Sequence, residues 1–255
     1  MAESYPIAIS RGTFQIHEWG RGTSVVVALH GFRQNGQAFA KMATALPAGT
    51  TLFAPDLPYH GATQWSGPEY RPEDMELLIR ALLQRKGAHS LHLIGFSYGG
   101  LLAASLAIRG ELPIDQLTLL APDSPKTKWG GFTFGVPYRW RLSIERLFDR
   151  VGGRMWWADR LFRYKIIDRF TLTFLNRNLA DARRRRQLFG TWRARAHFPF
   201  SFRKVRDLPM PVRIILGEKD SLIPAKKLIK KFRGLGVEVV EGGHDLLRPT
   251  IDGVF

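Results

Sequence analysis

The chain has no cysteine, no internal repeat and no low-complexity linker. Without cysteine there is no disulfide framework and no thiolate metal site, and the redox compartment stays open. No run of about 18 apolar residues occurs, so no transmembrane helix is expected. The opening "MAESYPIAIS" lacks a basic region and a long apolar core. No signal peptide is therefore expected, and the expectation is a cytoplasmic location, at most peripheral to a membrane. His17, His89, His92 and His197 show no ligand spacing, which argues against a metal.

Acidic residues are scarce in one segment only. Net charge is +16, and residues 124–206 hold 21 bases and only 5 acids, which accounts for the whole excess. The same segment holds 17 of the 30 aromatic residues. The flanking segments, 1–123 and 207–255, are close to neutral. With 45% hydrophobic residues in 255, a sizeable core can be buried and global disorder is excluded. The pattern is a neutral body interrupted by a basic, aromatic insert.

The body reads as strands alternating with helices. "TSVVVALHG", "TTLFAPDLP", "SLHLIGFS", "DQLTLLAPD", "PVRIILGEKD" and "VEVVEGGHD" are apolar runs bounded by turn residues. "GQAFAKMATAL", "EDMELLIRALLQRKG", "GGLLAASLAIRG" and "AKKLIKKFRGLG" read as the intervening helices, and Met75, Leu78, Ile79 and Leu82 share one side of the second. "IAISRGTFQIHEWGRG" reads as an antiparallel hairpin on one edge. The expected class is α/β, a mostly parallel sheet with helices on both faces. Chemistry in such sheets sits at the carboxyl ends of the strands. The residues found there are His30-Gly31-Phe32, Ser97, Asp123, Asp220 and His244.

Gly95-Phe96-Ser97-Tyr98-Gly99 is a G-x-S-x-G motif between a strand and a helix. A serine on so sharp a turn is held with its hydroxyl exposed, and the flanking glycines allow close packing. Serine is a weak nucleophile and needs a base, which in turn needs an orienting acid. The motif alone arises by chance in about one chain in ten of this length. Its context is stronger, because Ser97, Asp220 and His244 follow in that order, each just past its own strand.

On "HGF" (30–32), "GFSYGG" (95–100), "GEKDSLIP" (217–224) and "GGHD" (242–245) the sequence resembles the α/β-hydrolase family over essentially its whole length. The resemblance implies Ser97 as nucleophile, His244 as general base and then acid, and Asp220 as orienting acid. It implies an oxyanion hole from the backbone N–H groups of Phe32 and Tyr98. No cofactor is implied. Residues 1–123 and 207–255 would form the core, and 124–206 a helical cap. One departure is Tyr59 in "DLPYHG", where relatives often carry glycine. Relatives that open epoxides carry aspartate where Ser97 stands, so serine points to acyl chemistry.

The expected activity is hydrolysis of a small-molecule carboxylic ester with an apolar portion, through an acyl-enzyme. Alternatives on the same fold are a C–C bond hydrolase or lyase of anionic substrates, as in menaquinone biosynthesis, and a non-catalytic binding protein. Asp123 is the rival to Asp220. His30 reads as a structural hydrogen-bonder, while His60 is even between loop packing and lining the pocket. In the insert, Trp140, Ile144, Leu147 and Val151 fall at helical spacing, with aromatics expected inward and arginines outward. The run Arg183 to Arg186 reads first as a solvated helix face. An anionic membrane surface comes second, an acidic substrate third, and nucleic acid last for want of a motif.

Overall fold

The computed structural model describes residues 3–9, 11–67, 69–124, 137–151, 156–179 and 181–247. Among them nine strands form one sheet. The hairpin of β1 (Glu3–Ile9) and β2 (Gly12–Gly20) is antiparallel, and β2 pairs antiparallel with β4 (Thr50–Pro55). From β4 the order continues through β3 (Ser24–Leu29), β6 (Leu91–Phe96), β7 (Ile114–Leu120), β8 (Val212–Gly217) and β9 (Gly236–Val240), all parallel. The short β5 (Gln64–Trp65) lies against β2. Strands β4 and β6 are buried along their whole length, which explains their largely apolar runs.

Helix α1 (Pro72–Lys86) starts where the Asp74 carboxylate accepts from the Arg71 N–H, at 2.8 Å. It ends at Gly87, which adopts a left-handed φ of 60°. Met75, Leu78, Ile79 and Leu82 are fully buried on its inner face, each contributing about 2 kcal/mol by area. Helix α2 (Tyr98–Arg109) packs beside it. The segment expected as a helix after β3 forms two 3-10 turns instead, Gly36–Phe39 and Met42–Ala45. Phe39 and Met42, three residues apart, both reach the core from these turns. The chain reverses its direction across the sheet between β4 and β6. Right-handed crossovers then put α1 and α2 on the face opposite those turns. The reversal also opens a crevice beyond the ends of β3 and β6.

Between β7 and β8 run α3 (Tyr138–Val151), α4 (Trp156–Arg163), α5 (Arg169–Leu179), α6 (Ala182–Ala194) and α7 (Phe202–Arg206). Residues 125–136 and 152–155 of the expected insert, and the side chain of Val151, lie outside the described residues. Leu179, Phe189 and Trp192 form a second small core, with Ile144, Phe148 and Trp157 packed on it. The expected inward stripe of α3 is corrected here. Trp140 and Leu147 are exposed, whereas Arg141 is buried. The reason is a contact with the end of α6: Arg141 donates to the Trp192 oxygen at 2.6 Å and lies 5.4 Å from the Trp192 ring.

Candidate active site

Ser97 caps β6 in strained backbone geometry, with φ 51° and ψ −114°. Glycine is required around it. A Cβ on Gly99 would lie 1.9 Å from the Leu29 oxygen, and one on Gly95 2.4 Å from the Gly99 oxygen. The turn is held by the Ser97 N–H donating to Leu120 and by the Ser97 carbonyl accepting from Gly100 and Asp123, at 2.8–2.9 Å. Such strain persists only where the surroundings over-determine it.

Asp220 follows β8, and its Oδ1 accepts from the N–H groups of Leu222 and Ile223, both at 2.8 Å. Its Oδ2 faces His244 Nδ1 at 2.7 Å. His244 Nε2 lies 3.0 Å from Ser97 Oγ. Both contacts are satisfied when His244 carries its proton on Nδ1, donating to Asp220 and accepting from the serine hydroxyl. Phe96 packs against the imidazole, with ring centroids 5.2 Å apart. The structure thus brings together Ser97, Asp220 and His244 from three separate strand ends. Asp123 goes elsewhere: its carboxylate is in a short ion pair with the buried Arg195.

Phe32 and Tyr98 flank the crevice, Tyr98 at the first position of α2. No backbone hydrogen bond to a described residue takes up the N–H of either. The loop carrying Phe32 is fixed by His30. That ring donates from Nδ1 to the Gly31 oxygen at 2.8 Å and accepts at Nε2 from the Leu57 N–H at 2.9 Å. Burial drives the His30 pKa down to about 3, with the neighbouring His60 adding to the effect. His60 donates from Nδ1 to the Pro58 oxygen at 3.0 Å, and burial lowers it to about 4. Its Nε2 is buried without a partner, and its ring lies 5.9 Å from that of Phe32. His60 therefore packs in the loop beside the crevice.

Sequence reasoning missed three contacts. Arg195 pairs with Asp123, as described. The hydroxyls of Tyr70 and Tyr98 meet at 2.7 Å, both buried. Tyr59, standing where relatives often carry glycine, adopts φ 68° and lays its ring on Gly190 of α6. A Cβ on Gly190 would come within 2.5 Å of that ring. The Tyr59 hydroxyl donates to the Gly67 oxygen at 3.1 Å, and burial pushes its pKa up to about 12. The only signal in the sequence was Tyr59 itself, an aromatic at a glycine position. No group of three or more His, Asp or Glu side chains suited to a metal occurs among the described residues.

A strained serine between strand and helix, backed by a histidine and an aspartate, defines a recognisable class. Residues 26–251 match the sequence model of the Alpha/beta hydrolase family, and the chain belongs to that family. It is 29% identical over 124 residues to a Drosophila melanogaster protein named "Probable serine hydrolase", covering 45% of this chain and 36% of that one. It is 32% identical over 101 residues to Lipase LipV of Mycobacterium tuberculosis, covering 40% of this chain and 38% of that one. The alignments thus span well under half of these two curated relatives. Among solved structures, a thermophilic esterase from Thermogutta terrifontis superposes with a TM-score of 0.66. It shares 18% identity over 96% of this chain and 92% of that one, a likeness of fold. No described helix is long and apolar enough to cross a membrane.

Proposed function

We propose that this hydrolase-family chain cleaves a carboxylic ester through an acyl-enzyme on Ser97. The observation that carries the reading is the hydrogen-bonded chain from Asp220 through His244 to Ser97, at 2.7 and 3.0 Å. In this reading His244 takes the hydroxyl proton as Ser97 attacks the ester carbonyl. The tetrahedral oxyanion is received by the N–H groups of Phe32 and Tyr98. His244 then returns the proton to the departing alcohol and activates the water that releases the acid. Asp220 holds the imidazole in the required tautomer. Its 2.7 Å contact with His244 favours it over Asp123, whose carboxylate is engaged by Arg195.

Residues 124–206 act in this reading as a cap over the site. Supporting it, Gly190 and Arg195 meet Tyr59 and Asp123, which lie just past the carboxyl ends of β4 and β7. The aromatic content of the segment suits an apolar acyl or alcohol portion. The anionic-substrate alternative draws less support. The buried Arg193 and Arg195 are in ion pairs with Glu145 and Asp123, so their charge is matched within the protein.

The test is labelling by a fluorophosphonate together with turnover of p-nitrophenyl esters of varied acyl length. Labelling at Ser97 and turnover that vanishes in Ser97→Ala are expected. An unlabelled wild type would favour a binding protein on this fold. Labelling with only marginal ester turnover would favour the C–C hydrolase or lyase.

A further inference from the structure

We propose that the exposed apolar and basic residues of the α3 and α4 segments of the insert, within 140–150 and 156–166, dock on an anionic lipid surface. The inference is independent of the ester chemistry, because its residues are separate from Ser97, Asp220 and His244.

Large apolar side chains exposed singly are ordinary on a protein surface, but clusters are not. Nine are exposed among the described residues, and six of these fall within this stretch: Trp140, Leu147, Trp156, Phe162, Tyr164 and Ile166. Their exposure is large, 67% for Trp140, 63% for Trp156 and 66% for Ile166. They are surplus to the insert's own core, which is already served by Ile144, Phe148 and Trp157. Trp140 and Leu147 are seven residues apart and so share one side of α3. Phe162 and Ile166 line an open hollow of about 880 Å³ together with Arg163 and Lys165.

The charge around them identifies the occupant. The described side chains from 140 to 169 include six exposed bases, Arg146, Arg150, Arg160, Arg163, Lys165 and Arg169, against two exposed acids, Asp159 and Asp168. A protein partner of matching shape would have to supply both an apolar surface and excess negative charge. An anionic bilayer supplies both at once. Tryptophan and tyrosine settle at its interface, and basic side chains settle on its headgroups. The run Arg183 to Arg186 contributes less to this face. Arg183 donates to Gly61, Arg184 to Arg177 and Arg185 to Leu179, all at backbone oxygens of this chain.

The experiment is co-sedimentation with vesicles of phosphatidylcholine containing phosphatidylglycerol, and with phosphatidylcholine alone, across a salt series. Three proteins are compared: wild type, Trp140→Ser with Trp156→Ser and Ile166→Ser, and Arg160→Gln with Arg163→Gln and Lys165→Gln. Wild type should bind the anionic vesicles, more weakly as salt rises. The apolar variant should lose at least about tenfold in affinity at every salt. The charge variant should lose about a hundredfold at low salt and little at high salt. Circular dichroism and soluble-ester turnover unchanged from wild type show that each variant is folded, and failure of the ester reading would leave the vesicle result standing. Absence of wild-type binding at low salt, or folded variants that bind as wild type does, would overturn the proposal. So would self-association that the apolar substitutions abolish without any vesicle binding, since the face would then be a contact between copies. Should a triple variant unfold, Trp156→Ser and Arg163→Gln taken singly must each weaken binding severalfold, and no effect from either would equally overturn it.

Discussion

In the segments flanking the insert, acids and bases balance, and the charges that matter meet at fixed distances. Asp220 faces His244 at 2.7 Å, and Asp56 accepts from His17 and from the N–H groups of Gly36 and Ala62 at 2.7–2.9 Å. Residues 124–206 carry the whole excess of +16, and there the bases divide. In the half that sits on the body, Arg193 and Arg195 are buried and ion-paired. In the other half Arg160, Arg163 and Lys165 stand in solvent beside exposed aromatics. A buried cation costs too much unless paired, so the seated half takes its counter-charges from its neighbours, Glu145 on α3 and Asp123 at the end of β7. The outer half has no such requirement and leaves its charge for whatever meets it.

The contrast between the balanced body and the basic insert is broken most sharply at the two carboxylates near Ser97. Asp220→Asn should lower kcat by about four orders of magnitude, because the imidazole would settle in the wrong tautomer. Its unfolding midpoint should move little by comparison. Asp123→Asn should do the reverse, removing the counter-charge that Asp123 gives the buried Arg195 at about 3 kcal/mol of stability while kcat falls far less. Paired measurements of kcat and urea midpoint decide. Exchanged outcomes would move the orienting acid to the end of β7.

Acid should strike the body before the insert. His30, His60 and His92 are all in the body and all buried, and burial lowers their pKa values to about 3, 4 and 4. Each is neutral when folded but titrates near 6.5 when unfolded, so between these values the unfolded chain binds more protons. Stability is then full above about pH 6.5 and falls as pH drops below it, by a few kcal/mol in all by pH 5. Urea midpoints at pH 7 and pH 5 measure this. His92→Gln should flatten the slope, since it removes a titrating ring whose Nε2 lies 2.8 Å from Thr118 Oγ1. An unchanged slope would remove His92 from the account.

Most of the body was legible because its cues are local. A buried parallel strand is mostly apolar, its few polar side chains paired as His92 is with Thr118, and a tight strand-to-helix turn must carry glycines where backbones touch. Gly95 and Gly99 do so here, at separations no Cβ could survive. The insert was less legible because its decisive contacts are long-range. Nothing in "YRWRLSIERLF" reveals that Arg141 will turn inward, because the reason is a carbonyl 51 residues away at Trp192. Periodicity gave α3 its helix but placed Trp140 and Leu147 inside, one step off the true buried side. Tyr59 at a glycine position was visible as an oddity, yet its match, Gly190, lies on another element.

That match gives a smaller and cleaner test of how the seated half is held. Gly190→Ala should crowd the Tyr59 ring and cost about 1–3 kcal/mol. Tyr59→Ala alone removes packing but leaves room. The double variant should therefore cost less than the sum of the two single changes, by about 1 kcal/mol or more. Strict additivity would mean that the ring and the helix yield independently.

The smallest effect is expected at the arginine run, and its size follows from two opposed terms. Arg183 to Arg185 occupy the first turn of α6, with Arg186 just beyond it, where the helix dipole disfavours cations by about 0.3–1 kcal/mol each at low salt. Against this, Arg184 and Arg185 donate to the Arg177 and Leu179 oxygens at 3.2 and 2.8 Å, and Arg183 donates to Gly61 at 3.1 Å. The first two acceptors are among the last carbonyls of α5, which have no intrahelical partner. Each such bond is worth about 0.5–1.5 kcal/mol before side-chain entropy is subtracted. Changing all four to Gln should therefore shift stability by less than about 1 kcal/mol and leave soluble-ester turnover within about twofold. Salt separates the two terms. Screening relieves the cation–dipole repulsion but hardly touches short hydrogen bonds, so wild type should gain more stability than the variant between low and high ionic strength. Urea midpoints of both proteins at the two salt concentrations measure that difference. A large loss on substitution, equal at both salts, would show that the run serves mainly to cap α5. A collapse of ester turnover in a folded variant would carry it to the site and revive the anionic-substrate reading.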